Sequence, residues 1–296
     1  MNYKKANIML WLTTTVWGLG FVATRIALVE GITVLEFIAI RFGIGAILIN
    51  TIFFKQFKNI TKYEFKAGSA IGAFVLLGFI AQTFGLLHVT PSVGGFVTAT
   101  YVIIVPFLDR FLYKKKIDIY DGAAAALMLV GLGFITIADD FRVNIFVLPV
   151  LACAFFYALQ TSYTGVAVQK NDAVRLSIIM FNFVFISATI MAVGQNIATG
   201  HTTIVTARAV YWLLFCGIFG TFIAFLFQNI AQKYVNATRA AIVLSMESVF
   251  ALIFSIILYG EIVTFRILIG GGIILSAIML CQTKFDFLKR RFYEQK

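Results

Sequence analysis

Long apolar segments, separated by short polar ones, run through the whole chain. A helix rises about 1.5 Å per residue, so about 20 apolar residues cross the hydrocarbon core of a bilayer. On this criterion we predict ten transmembrane helices, at residues 7–27, 33–54, 68–88, 92–112, 119–138, 146–166, 174–195, 211–231, 237–258 and 263–282. The connecting segments are too short to form a soluble domain, so the predicted fold class is an all-α integral membrane protein.

Part of this pattern occurs twice in the chain. The sequence GFIAQTFGLLHV at 78–89 aligns with AFLFQNIAQKYV at 224–235. The two stretches share three residues at equal spacing, the pairs Phe79/Phe225, Gln82/Gln228 and Val89/Val235. Similar shifts align the first five predicted spans with the last five, so we predict two five-helix repeats at 1–142 and 143–296. Because each repeat has an odd number of spans, the second is inverted relative to the first, as in many secondary transporters.

Composition and charge support a membrane protein and indicate its orientation. Hydrophobic residues make up 61% of the chain and charged residues 12%, whereas soluble domains have about 45–50% and about 25%. Among the basic residues, only Arg142, Arg208 and Arg266 fall in the loops on one side, and Arg25 and Arg41 lie within spans. We therefore predict a protein of the plasma membrane, and the positive-inside rule places both of its termini in the cytoplasm. The net charge of +11 follows from this topology and from anionic lipid, so nucleic-acid binding is not expected.

The sequence offers little material for a metal or another cofactor. Cys153, Cys216 and Cys281 fall inside apolar runs without CxxC spacing, and His88 and His201 are the only histidines. We therefore predict no disulfide, no metal and no cofactor, apart from proton coupling, which the sequence leaves open.

Small residues in two equivalent spans indicate close helix contacts. Gly122, Gly131 and Gly133 lie in the fifth predicted span, and the run 270–272 of the tenth consists of glycine. Small residues let helix backbones approach each other in lipid, where the hydrophobic effect does not drive helix association. These faces predict helix packing within the chain or a homodimer interface.

The ionisable residues at mid-depth are the main functional candidates. Glu247 lies about 15 Å from either surface of the ninth predicted span. A charged side chain at that depth costs about 2.5–3.5 kcal/mol on insertion scales, so it should face a cavity, pair with another group or stay protonated. At a shift of 145 residues its equivalent is Val102, and this asymmetry favours a function such as solute or proton binding over a structural bond. Arg41, about 12 Å below the outer surface, is the candidate charge partner or anion-binding group, with a structural ion pair or an outward-reaching side chain as alternatives.

Aromatic and amide side chains complete the list of candidates. Trp17, Tyr101 and Tyr157 fall near the centre of their spans and would suit a cation or an aromatic solute, although simple packing also explains them. Gln82 lies about 9 Å below the outer surface and Gln228 about 5 Å from the inner one. An inverted pair near opposite faces favours gating or helix packing over contact with a central ligand.

Several stretches together form a recognisable set. They are WGLGF at 17–21, RF at 41–42, TYVIIVP at 100–106, FGT at 219–221 with Gln228, QKYV at 232–235, ATRAA at 237–241, Glu247 and the pair Gly260–Glu261. This set resembles the EamA-type members of the drug/metabolite transporter superfamily over nearly the whole chain. Two positions depart from the family pattern: Ser248 stands where proline is expected and Ala277 where glycine is expected. The change to Ser248 predicts a straighter ninth span and adds a hydroxyl near Glu247.

The resemblance implies a ten-helix inverted-repeat bundle with a central cavity, lined mainly by the first, third, fourth, sixth, eighth and ninth spans. It also implies transport of small organic solutes, commonly efflux of amino acids or other metabolites. We therefore predict a secondary transporter that works by alternating access, with Glu247 attracting an ammonium group or exchanging a proton and Arg41 receiving a carboxylate.

Three other functions remain open at this point. An exporter of multiple drugs or quaternary cations would use the same carboxylate and rings without needing Arg41. A membrane-embedded enzyme would need clustered acidic or histidine residues at one face, where the sequence offers only Asp139 and Asp140. A non-transporting scaffold would not need ionisable residues at the bilayer centre.

Overall fold

The chain folds into helices, as its apolar segments predict. The computed structural model describes residues 2–114, 117, 119–136, 144–203, 205–235, 240 and 243–283, and no β-strand occurs within them. Several positions named above lie outside the described residues: the start of the ninth predicted span, Asp139, Asp140, Arg142, Ala237, Thr238, Arg239 and Ala241.

The helices lie close to the predicted spans. In chain order they are α1 (Tyr3–Val29), α2 (Val34–Ile52), α3 (Phe54–Phe57), α4 (Lys62–Gly85), α5 (Pro91–Ala99), α6 (Tyr101–Tyr113), α7 (Ile119–Thr136), α8 (Val147–Lys170), α9 (Ala173–Thr199), α10 (Ala207–Phe215), α11 (Ala224–Ala231), α12 (Glu247–Phe254) and α13 (Phe265–Thr283). Two π-helical stretches, Cys216–Ile223 and Ser255–Tyr259, continue α10 and α12.

Seven of the resulting segments in the described chain are long and apolar enough to cross a membrane. They include two compound segments, Pro91–Tyr113 and Ala207–Ala231. Shorter apolar helices occupy the three remaining predicted positions, at Ile119–Ile135, Val243–Tyr259 and Phe265–Cys281. The all-α membrane fold is therefore confirmed, whereas the number of ten crossings stays a prediction.

Capping boxes fix the starts of two of these helices. The Thr33 hydroxyl accepts from the backbone N–H of Glu36 while the Glu36 carboxylate accepts from the backbone N–H of Thr33, and Thr61 and Glu64 repeat this arrangement at α4. Each box satisfies two N–H groups that a helix start otherwise leaves unpaired. The Glu64 carboxylate also accepts from Arg175 Nε at 2.7 Å, which joins the start of α4 to α9.

Two spans are interrupted at equivalent places. The chain turns at Thr100 between α5 and α6, and it turns again at Met246 directly before α12. At each turn the backbone N–H donates to the carbonyl three residues earlier, from Thr100 to Val97 at 3.3 Å and from Met246 to Val243 at 3.2 Å. In the described chain, a turn therefore interrupts each of these two spans.

A ninth span straighter than its proline-containing counterparts stays a prediction, and the structure shows a turn at Met246 within it. The hydroxyl of Ser248 donates to the carbonyl of Ser245 at 2.9 Å, across the turn at Met246. Serine side chains that bond nearby carbonyls compete with the helical backbone pattern, so Ser248 supports a turn although it lacks the ring of proline.

The helices pack against each other in the pattern expected for two equivalent halves. Helix α4 packs along α8 and α9, and correspondingly the segment Ala207–Ala231 packs along α1 and α2. Three further contacts join equivalent helices directly: α2 with α9, α5 with α12, and α7 with α13. Two five-helix units related by an approximate two-fold axis give this pattern. The repeat boundaries at 1–142 and 143–296 stay a prediction.

Glycines bring α7 and α13 close together. A Cβ built on Gly131 would lie 2.9 Å from the carbonyl oxygen of Gly270, and one built on Gly270 would lie 2.8 Å from the carbonyl oxygen of Gly131. By contrast, a Cβ on Gly122, Gly133 or Gly272 would meet no atom of the described chain within 4 Å. Part of the small-residue face therefore serves packing within the chain, and a homodimer through the remaining glycines stays a prediction.

Candidate functional site

A cavity lies between the two halves of the bundle. The first, third, fourth, sixth, eighth and ninth spans line it, as the family resemblance implies, and the second span adds Arg41. The lining includes every residue that the sequence singled out as a site candidate: Trp17, Arg41, Gln82, Tyr101, Tyr157, Gln228 and Glu247. Their roles toward a solute stay predictions, but they share one space.

Arg41 supplies the positive charge of the cavity. It is only 4% exposed, its Nε donates to the Thr221 hydroxyl at 2.9 Å, and its guanidinium carbon lies 4.4 Å from the ring centroid of Phe79. No ion pair to Arg41 occurs within the described residues. The side chain is therefore buried and held by a hydroxyl and a ring face, which leaves its charge without a carboxylate partner in the described chain.

The π-helical stretch Cys216–Ile223 shapes the space around Arg41. The Thr221 hydroxyl that Arg41 contacts donates to the Cys216 carbonyl at 2.9 Å, five residues earlier. A Cβ on Gly220 would lie 3.2 Å from Nη2 of Arg41. Such wide turns within α-helices occur frequently at functional sites, because they redirect side chains and carbonyls.

Glu247 supplies the carboxyl group of the cavity. It is 4% exposed and is the first residue of α12, where the helix dipole favours a carboxylate. Across the described part of the chain, no side chain or backbone group forms a hydrogen bond or ion pair with its carboxylate. The cavity thus contains a guanidinium and a carboxyl group, and neither has an ionic partner among the described residues.

Two equivalent ring pairs flank these two groups. Trp17 packs edge-on against Phe225 with ring centroids 5.1 Å apart, and Tyr157 packs edge-on against Phe79 at 5.7 Å. Phe79 and Phe225 themselves meet at 6.1 Å. The rings form one apolar surface inside the cavity. Trp17 and Tyr157 occupy corresponding positions in the two halves, at a shift of 140 residues.

The structure changes the interpretation of the two glutamines. Gln82 lies three residues before the end of α4 and Gln228 three residues before the end of α11, and both still line the cavity. The cavity therefore extends from the centre toward both helix ends, so a position near one face does not exclude contact with a ligand. Gln82 accepts a hydrogen bond from the Tyr157 hydroxyl at 3.3 Å and donates to the Thr98 hydroxyl at 3.2 Å, which accords with a packing role.

The interrupted spans also correct the comparison of Glu247 with Val102. Tyr101 is the first residue after the turn at Thr100, and Glu247 is the first after the turn at Met246. The equivalent of Glu247 is therefore Tyr101, at the same shift of 146 residues as the repeated glutamines. One half of the molecule places a phenol at this position and the other places a carboxylate.

Sequence reasoning did not propose several of the lining residues as site residues, among them Phe79, Phe225 and Gln160. Phe79 and Phe225 were already visible as an identical pair in the internal repeat. Gln160 was visible as an amide inside an apolar span, where a polar side chain is a functional candidate. It donates to the Thr164 hydroxyl at 3.2 Å.

The chemistry of the cavity is that of charges, amides and rings. In the part of the chain that the structure describes, no group of three or more His, Cys, Asp or Glu side chains is arranged to hold a metal ion. Cys153, Cys216 and Cys281, which all lie in the described chain, are buried and form no disulfide bond. That the protein uses no cofactor stays a prediction.

A helical membrane bundle of two equivalent halves, with a polar cavity between them, is typical of secondary transport proteins. The chain belongs to the EamA-like transporter family, whose family model matches residues 4–137 and again residues 144–282. The resemblance found in the sequence is thereby confirmed, and each match falls within one predicted repeat.

Similar proteins extend over nearly the whole chain. An uncharacterized transporter of Archaeoglobus fulgidus is 30% identical over 275 residues, which cover 93% of this chain and 85% of that protein. The uncharacterized transporter YoaV of Bacillus subtilis is 25% identical over 94% of this chain and 96% of its own. A crystal structure with 14% sequence identity aligns with a TM-score of 0.69 over 97% of this chain and 98% of its own, which supports the fold alone.

Proposed function

We propose that the protein is a secondary transporter that exports a small zwitterionic solute, an amino acid or a related metabolite, across the cytoplasmic membrane. The observation that carries this proposal is the presence of Arg41 and Glu247 in one cavity. Both side chains are 4% exposed, and neither has an ionic partner among the described residues. Buried charges without partners are costly, so a solute with one positive and one negative group would compensate both.

The cavity offers complementary contacts for each part of such a solute. Glu247 would accept N–H donors from the ammonium group. Arg41 uses its Nε for Thr221, and within the described chain its remaining N–H groups have no acceptor, so they can bind a carboxylate. The rings of Trp17 and Phe79 would contact the apolar part.

Alternating access requires contacts between the halves that can break at one end at a time. Toward one end of α1, Arg25 donates to the Tyr259 hydroxyl at 3.2 Å. Toward the other, Leu10 lies in one buried apolar cluster with Val235 of the second half. If the contacts at one end break while those at the other end persist, the cavity would open to a single side of the membrane. Proton exchange at Glu247 is the coupling step that this arrangement suggests.

A quaternary-cation exporter is the second candidate. The carboxylate of Glu247 and the ring cluster favour it, because ring faces and a negative charge attract cations. The guanidinium of Arg41 in the same cavity opposes it, because a like charge repels the solute. The transporter names of the relatives point away from an enzyme.

Replacement of Arg41 separates these two candidates. The full-length protein is reconstituted into liposomes that contain a mixture of the twenty amino acids, and exchange is followed with the same mixture in radiolabelled form and, separately, with radiolabelled tetraphenylphosphonium. We expect Arg41→Gln to reduce amino-acid exchange by about tenfold or more, because a charge-assisted hydrogen bond to the carboxylate is lost.

The control is Arg208→Gln, at a side chain that is 63% exposed outside the cavity and should leave exchange unchanged. Tetraphenylphosphonium crosses bilayers unaided, so its exchange is counted only above that of protein-free liposomes. Such exchange of tetraphenylphosphonium alone by the wild type, or equal amino-acid exchange by Arg41→Gln and the wild type, would contradict the proposal. Recovery of folded protein by size-exclusion chromatography shows whether a loss reflects unfolding.

A further inference from the structure

Gln82 and Gln228 occupy equivalent places in the two halves, but their side-chain amides differ in their hydrogen-bond partners. Gln82 accepts from the Tyr157 hydroxyl at 3.3 Å and donates to the Thr98 hydroxyl at 3.2 Å. These bonds connect the third, fourth and sixth spans. The protein itself therefore supplies partners for both ends of the Gln82 amide.

Gln228 lacks these partners within the described chain. It is 1% exposed, and its Oε1 is buried without a hydrogen-bond donor from any described residue. The positions equivalent to Tyr157 and Thr98 are Trp17 and Leu244. Trp17 donates its indole N–H to a backbone carbonyl of the eighth span at 3.0 Å, and Leu244 is apolar. The difference between the halves thus leaves one amide oxygen unsatisfied.

An unsatisfied amide oxygen in a cavity lining points to a ligand. Burial of a carbonyl oxygen without a donor costs free energy, and an N–H group from a bound molecule removes that cost. The terminal torsion of glutamine is broad, so the amide can turn its oxygen toward the cavity that Gln228 lines. A ligand group that satisfies this oxygen must be a hydrogen-bond donor.

We propose that Gln228 contacts the solute and that its carbonyl oxygen accepts an N–H from the solute's ammonium group, together with Glu247. This inference rests on the proposed function and adds a rule of selectivity to it. A primary ammonium group has three N–H donors and can serve both acceptors, whereas a trimethylated ammonium group has none. Gln228 therefore determines the preference for primary over quaternary ammonium.

The first test uses the full-length protein in detergent without any solute. Gln82→Leu removes satisfied hydrogen bonds between spans, so we expect it to lower the melting temperature by a few degrees. Gln228→Leu removes an unsatisfied oxygen and should not lower the melting temperature, because an apolar side chain of similar size carries no desolvation penalty. If Gln228→Leu lowers the melting temperature as much as Gln82→Leu, Gln228 is a structural residue and the inference fails.

The second test measures selectivity in liposomes. Exchange of the radiolabelled mixture of twenty amino acids is inhibited with each amino acid that the wild type exchanges and with its N,N,N-trimethyl derivative. We expect the wild type to prefer the primary ammonium form, and Gln228→Leu to reduce that preference about tenfold. An unchanged preference would overturn the inference while leaving the proposed function intact. A wild type that exchanges none of the amino acids would refute the proposed function, and the melting comparison would still test Gln228.

Discussion

Single residues make the cavity asymmetric within a frame of two equivalent halves. Tyr101 and Glu247 take the same position after equivalent turns, yet only one of them carries a charge. Gln82 is bonded within the protein, and Gln228 has an unsatisfied oxygen among the described residues. An asymmetric set of groups can hold a solute in one orientation, with its ammonium and carboxylate groups at different residues.

The hydrogen bond between Tyr157 and Gln82 predicts a measurable stability difference. Tyr157→Phe removes the hydroxyl that donates to Gln82 at 3.3 Å and should reduce the free energy of unfolding by about 1 kcal/mol. The matched control is Tyr163→Phe, because Tyr163 packs its ring against Phe74 and its hydroxyl has no partner in the described chain. Thermal unfolding in detergent measures both, and equal shifts for the two variants would contradict the assignment.

At the scale of helices, the apolar lengths were predictable and the interruptions were not. The predicted span 33–54 corresponds to Val34–Ile52 and the span 146–166 to Val147–Lys170, because hydropathy reports directly where a helix can face lipid. The turn at Met246 contains neither glycine nor proline, so no local signal marks it. The sequence did not indicate the π-helical stretch Cys216–Ile223 either, which packs against α1 and α2.

Residues of the candidate site could be predicted from the sequence where their depth in the membrane alone identifies them. An apolar span offers few charged residues, so a count along the helix identifies Glu247 and Arg41 without knowledge of the packing. The same count assigned Gln228 to the inner surface, because it could not show that the cavity extends toward the helix ends. Phe79 and Phe225 could not be distinguished from ordinary packing in a chain with 16% aromatic residues.

The close contact between α7 and α13 predicts opposite effects of two neighbouring substitutions. Gly270→Ala places a Cβ 2.8 Å from the carbonyl oxygen of Gly131, so it should destabilise the protein by about 1–3 kcal/mol. Gly272→Ala meets no described atom within 4 Å and should be neutral or stabilising by about 0.5–1 kcal/mol, because alanine favours a helix over glycine. Melting temperatures of the purified variants test this pair. The same shift for both would show that α7 and α13 do not approach as described.

For the molecule as a whole, the distribution of basic residues predicts how it crosses the membrane. Arg208 lies in a predicted outer loop and Lys58 in a predicted cytoplasmic one, and both are exposed. In a protein whose Cys153, Cys216 and Cys281 are replaced by alanine, a membrane-impermeant maleimide should label Arg208→Cys in right-side-out vesicles. It should label Lys58→Cys only in inside-out vesicles. The reverse pattern would invert the proposed orientation, and labelling of both from one side would contradict the predicted topology.

The central claim is that a solute binds between the charges of one cavity and crosses the membrane there. The most direct measurement is amino-acid exchange by reconstituted wild type, Glu247→Gln and, as a control outside the cavity, Glu30→Gln. The account predicts exchange by the wild type and by Glu30→Gln. In Glu247→Gln it predicts that the exchange rate falls about tenfold or more and that exchange no longer depends on pH. Exchange by Glu247→Gln at the wild-type rate and with unchanged pH dependence would contradict it.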